Sequence, residues 1–340
     1  MPAAVYDGGG VITVRDVDVP TVGADDVLVE VSHCGICGTD LHLVLGDHAR
    51  PGSVLGHEWA GSVAALGAGV AGWELGTPVV ATPEPGCGVC RACMRGRPSV
   101  CLRRDPPDYL SFRGAFSRFV TVPARRLARL PAGLSTRVAA LTEPTAIALH
   151  TVTLANLEPS DRILVTGAGP VGLLTTAVLA SRGFHDVTVV EPSPLRRARA
   201  LVVGAATAID PGELPLPEIG LPVAEPFTVV FECSGHAAAA EAALDQLDYA
   251  GTFVFVGTGH DPTRVNHNRF IVLELTAIGA FNYDADGFTS ALGLLASGAL
   301  PTDLLIEPTD ITLDALASTI TALARTEIAG KVLVRPEVSA

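Results

Sequence analysis

Cys87, Cys90, Cys93 and Cys101 are separated by two, two and seven residues. Four thiolates at such gaps can wrap one tetrahedral ion in a small lobe, leaving no corner open for a substrate, so the ion would be structural. An iron–sulfur cluster can use a C-x2-C-x2-C run, but the seven-residue gap and the lack of a second cluster motif favour zinc. The chain has seven cysteines in all, an odd and closely spaced set that points to reduced thiols and metal rather than disulfides.

A second set of donors is mixed and scattered. Cys37-Gly38-Thr39-Asp40-Leu41-His42 and Gly56-His57-Glu58 offer a thiolate, imidazoles and carboxylates, and Thr142-Glu143-Pro144 adds another acid. Taken singly each is bland: Cys37 as a buried small side chain, Glu143 as an acid in the first turn of a helix. Together they match a catalytic zinc centre, which keeps three protein ligands and one open position.

Gly167-Ala168-Gly169-Pro170-Val171-Gly172 fits G-x-G-x-x-G between an apolar strand and a helix. The first glycine makes the tight turn, the second admits a pyrophosphate, and the third lets helix pack on strand. Helix N–H groups and dipole then face the phosphates. Glu191 follows Gly172 by nineteen residues, where an acid can bind the adenosine ribose and repel a 2′-phosphate, favouring NAD. Arg196 and Arg197 keep NADP open.

These groups need elements to hold them. The first part of the chain reads as β-rich and turn-laden to about residue 131. From residue 163 strands (163–166, 187–190, 227–231, 252–256) alternate with helices (171–181, 195–203, 236–247), the signature of parallel βαβ units. Helices at 288–297 and 313–324 and a strand at 331–334 close the chain. The boundaries are expected near 148 and 281: a zinc-binding catalytic domain (1–148, lobe 87–101), a cofactor domain (149–281), and a return segment (282–340) completing the first.

In its 340 residues the chain carries 48% hydrophobic and 17% charged side chains, enough apolar material for two cores. A formal net charge of −13 disfavours nucleic acid and anionic membranes as partners. The uncharged stretch 163–181 is cut by glycines and proline and reads as buried soluble structure. Residues 1–7 show neither a basic start nor an apolar core, so a cytoplasmic location is expected.

The whole pattern resembles the zinc-containing medium-chain alcohol and polyol dehydrogenases, over nearly the full length. Residues 31–42 are similar to that family's first metal motif, Gly56-His57-Glu58-Trp59-Ala60-Gly61 to its second, and 87–101 to its structural lobe. Glu143-Pro144, the turn at Gly167 and the closing Gly330-Lys331-Val332 complete the order. The resemblance implies an α/β fold: a doubly wound Rossmann cofactor domain beside a β-rich GroES-like catalytic domain. It implies two zinc ions, with Cys37, His57 and either Glu58 or Glu143 on the catalytic one. Glu143 in place of a second thiolate is similar to the sorbitol, threonine and glucose dehydrogenase branch.

The chemistry that the resemblance implies is NAD-linked oxidation of a secondary alcohol (polyol, sugar or cyclitol) to a ketone. Zinc lowers the pKa of a bound hydroxyl by about 8–9 units, as it does for water. By resemblance Thr39 takes the hydroxyl proton, His42 passes it through the cofactor ribose to solvent, and Asp40 braces a metal ligand such as His57. Phe281-Asn282-Tyr283 is read as a wall for the alcohol or as domain packing. A homodimer or homotetramer is expected. The alternatives are an NADP-linked carbonyl reductase, an aminocyclitol or aminoglycoside alcohol dehydrogenase of secondary metabolism, a zinc-free alkene or quinone reductase of the superfamily, and a zinc-ribbon binding module.

Overall fold

The computed structural model describes residues 1–82, 86–103, 114–259 and 261–337. Its centre is a six-stranded parallel sheet. Across it the strands run Thr207–Ile209, Val187–Val190, Ile163–Thr166, Phe227–Glu232, Leu247–Phe255 and Thr276–Gly279. Ile163, Leu164 and Val165 are fully buried, as a strand covered on both faces requires. The order reverses between Ile163–Thr166 and Phe227–Glu232, so a crevice opens at their carboxyl ends, where such sheets bind ligands.

Helix Pro170–Ser181 starts directly after Gly167-Ala168-Gly169, with Pro170 preset for the first helical position. Gly167 has φ +84°, a backbone geometry that a side chain strains. A Cβ on Gly172 would lie 1.9 Å from the Gly167 carbonyl oxygen, whereas one on Gly169 would meet nothing within 4 Å. The third glycine therefore sets the helix-to-strand distance, and the second leaves space above the turn.

The other sheet has seven strands and gathers distant parts of the chain. Its order is Ile311–Thr312, Leu333–Arg335, Asp26–Gly35, Glu58–Leu66, Pro78–Ala81 and Leu127–Arg129, with Phe119–Pro123 paired onto Asp26–Gly35. Strand Leu333–Arg335 pairs with Cys34 and Gly35, and the Ile36 N–H donates to the Val332 carbonyl at 3.1 Å. The end of the chain thus braces the approach to Cys37.

Helix Thr142–Leu154 links the two sheets and packs against Pro170–Ser181 and Gly287–Ala296. It is buried on most sides, so its sequence shows no apolar stripe. Other elements differ from the sequence reading at their ends. The helix expected over 236–247 stops at Leu244, and the next strand starts at Leu247 instead of 252. The closing strand lies at Leu333–Arg335, two residues later than expected. Helix His267–Leu273 and edge strand Thr276–Gly279, half exposed and short of periodic apolar residues, gave no signal.

Gly172→Ala is expected to lower the unfolding free energy by about 1–3 kcal/mol, the usual cost of overpacking. Gly169→Ala should be nearly neutral. Urea titrations of both variants check this; equal midpoints would contradict the assigned roles.

Candidate active site

Cys37 caps helix Gly38–Leu45, and Asp40 in that helix's first turn reaches back to it. The Asp40 carboxylate accepts the Cys37 N–H at 2.9 Å and the Gly56 N–H at 3.4 Å, and one of its oxygens is 3.8 Å from His57 Nδ1. A single buried acid therefore ties the Cys37 turn to the Gly56-His57 segment that leads into strand Glu58–Leu66. The donor atoms of Cys37, His57 and Glu58 lie within 4.8 Å of one another.

Glu58 is fully buried, and both its oxygens accept from Lys331 Nζ at 2.8 and 2.6 Å. Lys331, also buried, donates a further hydrogen bond to the Ile36 carbonyl at 2.9 Å. Glu143 stands on the first turn of Thr142–Leu154, half-buried at the edge of the same cleft. Burial pushes its carboxyl up to about 7, opposed by His57 and reinforced by Glu58. Burial alone would lower the His57 pKa, but Cys37, Asp40 and Glu143 outweigh it and hold the ring well above its ordinary value. A soft donor, an imidazole and carboxylates that together favour positive charge fit a zinc ion.

The four lobe sulfurs, Cys87, Cys90, Cys93 and Cys101, also fall within 4.8 Å of one another. Backbone N–H groups point at them: Cys90 N–H to Cys87 Sγ at 3.3 Å, and Cys87 N–H to Cys101 Sγ at 3.4 Å. The N–H groups of Cys93 and Leu102 pull the Cys90 thiol down to about 6, towards the thiolate that a metal needs. Closed, sulfur-only and supplied with N–H donors, this lobe fits a structural ion.

Between the two sheets lies a cleft of about 490 Å³. Cys37, Thr39, His42, His57 and Glu143 line one side of it, and Val171 in the first turn of helix Pro170–Ser181 with Cys233, Ser234 and Gly257 beyond the parallel strand ends line the other. Phe281, Asn282 and Tyr283 wall it, so that segment faces the site.

Two expected cofactor residues are engaged within the protein. The Glu191 carboxylate, almost wholly buried, accepts the N–H groups of Ala168 at 2.8 Å and Ser193 at 2.9 Å, holding the glycine turn itself. The Arg196 guanidinium donates to the carbonyls of Ile328 at 3.1 Å and Leu323 at 3.3 Å, clamping its helix to the chain's return segment. Glu232 has a similar part that no motif announced. It is buried and accepts the N–H groups of Ser234 at 2.8 Å and Gly235 at 3.0 Å, with the Ser234 hydroxyl also donating to it.

Comparison with known proteins agrees with this layout. The alcohol dehydrogenase GroES-like domain family matches residues 23–132, and the zinc-binding dehydrogenase family matches 170–297. The L-threonine 3-dehydrogenase of Pyrococcus horikoshii is 34% identical over 300 residues, covering 86% of each chain. This chain belongs to the zinc-containing medium-chain alcohol and polyol dehydrogenases. A sorbitol dehydrogenase of Halalkalibacterium halodurans is 32% identical over 294 residues, 85% of each chain.

Among solved structures, the dehydrogenase is similar to 2R,3R-butanediol dehydrogenase from Bacillus subtilis. That likeness has a TM-score of 0.86, 29% identity and 99% coverage of both chains. A Sinorhizobium meliloti structure bound to NADP gives TM-score 0.85 and 31% identity, covering 98% of this chain and 99% of that one. An Escherichia coli alcohol dehydrogenase solved with NADH gives 0.86 and 27%, with the same coverage. The dehydrogenase is therefore an enzyme acting on CH–OH donors, with a small-molecule alcohol as substrate and with zinc and a nicotinamide dinucleotide in its chemistry. No helix among the described residues is long and apolar enough to cross a membrane.

Lys331 is the site residue that the sequence reading left without a role. Its signals were its place in the closing Gly330-Lys331-Val332 and a charge inside the apolar run Ala329 to Val334, neither of which named a partner. Lys331→Met strands the Glu58 charge and is expected to cost about 3–5 kcal/mol. Adding Glu58→Gln should recover most of that loss, read by urea unfolding in the presence of chelator. A single variant as stable as the parent would contradict the pairing.

Proposed function

We propose that the dehydrogenase oxidises a secondary alcohol of the polyol, sugar or cyclitol type to a ketone, with NAD as hydride acceptor and two zinc ions per chain. The observation that carries this is the Cys37–His57–Glu58 cluster facing, across one cleft, the strand ends that follow the glycine turn. Cys37, His57 and Glu143 would hold the catalytic ion, and the four lobe cysteines the structural one. The donor atoms that lie together are those of Cys37, His57 and Glu58, but Glu58 is already neutralised by Lys331, so Glu143, which lines the same cleft, is the carboxylate left for a cation. Glu58 stays within reach to exchange with it.

Zinc when bound supplies Lewis acidity towards the alcohol hydroxyl. The chain's own residues do the rest. Thr39 Oγ1 accepts the hydroxyl proton as it releases its own into the relay, and His42, on the same helix one turn later, delivers a proton to solvent. Asp40 fixes the Cys37 turn and places its charge behind the His57 ring without itself moving a proton. Gly167, Gly169, Pro170, Val171 and Gly172 receive the pyrophosphate at the helix N-terminus. Glu191 supports NAD over NADP, since its buried charge beside the turn repels an added phosphate; Arg196, spent on carbonyls, offers that phosphate no partner. The functional division follows the boundaries near 148 and 281, with the return segment completing the catalytic half. Assembly as a homodimer or homotetramer, and a cytoplasmic location, belong to the same reading.

Cys37→Ser should reduce turnover at least about 1,000-fold and lower zinc content from two to one per chain, with the fold kept. Reduced-cofactor absorbance with sorbitol, L-threonine and butane-2,3-diol, each with NAD and NADP, reads the first, and atomic absorption the second. Full activity in Cys37→Ser would remove the catalytic ion from the scheme, and a preference for NADP would remove the role given to Glu191.

A further inference from the structure

The cleft wall at 281–284 is suspended between two parts of the molecule. On one side Asp284 Oδ1 lies 3.0 Å from Nδ1 of His150, a buried residue two turns beyond Glu143 on helix Thr142–Leu154. On that side, too, Tyr283 stacks edge-on against Phe288 at 5.0 Å between centroids. On the other side Asn282 Nδ2 donates to the Ser99 carbonyl at 3.1 Å, across 183 residues of sequence. Ser99 lies in the turn Pro98–Val100 between Cys93 and Cys101, and its side chain is buried within the four-cysteine lobe. Asn282 has φ +58°, in the left-handed region that asparagine tolerates better than most residues, and this backbone geometry accompanies a side chain directed at the lobe.

We infer that the four-cysteine lobe positions the wall of the alcohol site through Asn282, which makes Asn282 a positioning residue for substrate and gives the lobe a part in substrate selection beyond folding. This rests on the reading of the cleft as the alcohol site. The physical reason is the division of labour among the anchors. Asp284 lies beside the helix that bears a metal donor, and the tip of the segment reaches out from there to the lobe. The Ser99 carbonyl of the lobe is the group that receives the Asn282 amide there. A lobe ordered by one ion presents that carbonyl at a fixed place, and the backbone at Asn282, between Phe281 and Tyr283, takes its position from it.

Asn282→Gly removes the amide and keeps the left-handed backbone, and Asn282→Asp turns the donor into an acceptor facing a carbonyl. Alanine would add backbone strain and is avoided. Both variants are prepared as the zinc-loaded full chain. With whichever of sorbitol, L-threonine and butane-2,3-diol the parent oxidises, the alcohol KM should rise about three- to ten-fold, the factor carried by one hydrogen bond. The NADH dissociation constant should stay within about twofold by the same scale, since the hydrogen bond removed runs to the lobe and not to the glycine turn. Hydrogen–deuterium exchange, read in parallel, should quicken in both 98–101 and 281–287, because the bond protects both ends. An unchanged alcohol KM, an equal loss in alcohol and NADH affinity, or exchange that quickens in 281–287 alone overturns the inference. If the parent oxidises none of the three alcohols, the functional reading fails in that assay, and the exchange result alone decides the coupling.

Discussion

Glu58 and Lys331 sit together out of water, and neither could be there alone. Removing a carboxylate or an ammonium from water costs several kcal/mol even after relaxation, and only close pairing with further hydrogen bonds offsets it. Here the pairing is two-pronged and the Ile36 carbonyl takes another ammonium proton. The consequence is topological. Lys331 reaches Glu58 only if the end of the chain returns to the first sheet, and when it does, Leu333–Arg335 lands on the strand leading to Cys37. One buried ion pair thus closes the fold and orders a metal donor.

Buried acids are used repeatedly to shape the cleft from behind. Asp40 joins the Cys37 turn to Gly56, Glu191 holds the glycine turn by its Ala168 N–H, and Glu232 gathers the loop at Ser234 and Gly235. Each satisfies backbone donors that would otherwise be orphaned beside a crevice, where an unpaired N–H costs more than a made bond returns. The pattern separates positioning from contact: carboxylates behind, and side chains such as Thr39 and His42 in front.

The parts that could be read from sequence were those with local chemistry. The four-cysteine spacing, the glycine turn and the strands at 163–166 and 187–190 each specify themselves within a few residues, and the structure has them as expected. Less legible was whatever depends on a distant partner. Helix Thr142–Leu154, buried nearly all round, has no polar face to reveal a period, so Glu143 could be read as a first-turn acid without the extent or packing of the helix that presents it. Lys331 could be seen but not paired, because its partner lies 273 residues away. Arg196 looked like a phosphate reader by its distance from Glu191, yet two carbonyls of the return segment claim it. Glu191 shows the same limit: its place at the strand end was legible, whereas the direction of its carboxylate was set by the N–H groups around it.

One cation shared by Cys37 and His57 is the centre of the proposed chemistry, and anomalous diffraction at the zinc absorption edge tests it most directly. Two peaks per chain are predicted. One should lie about 2.0–2.3 Å from Cys37 Sγ, a His57 ring nitrogen and a carboxylate oxygen, the other at similar distances among the four lobe sulfurs. A map with zinc in the lobe and no density between Cys37 and His57, from fully active protein, would contradict it.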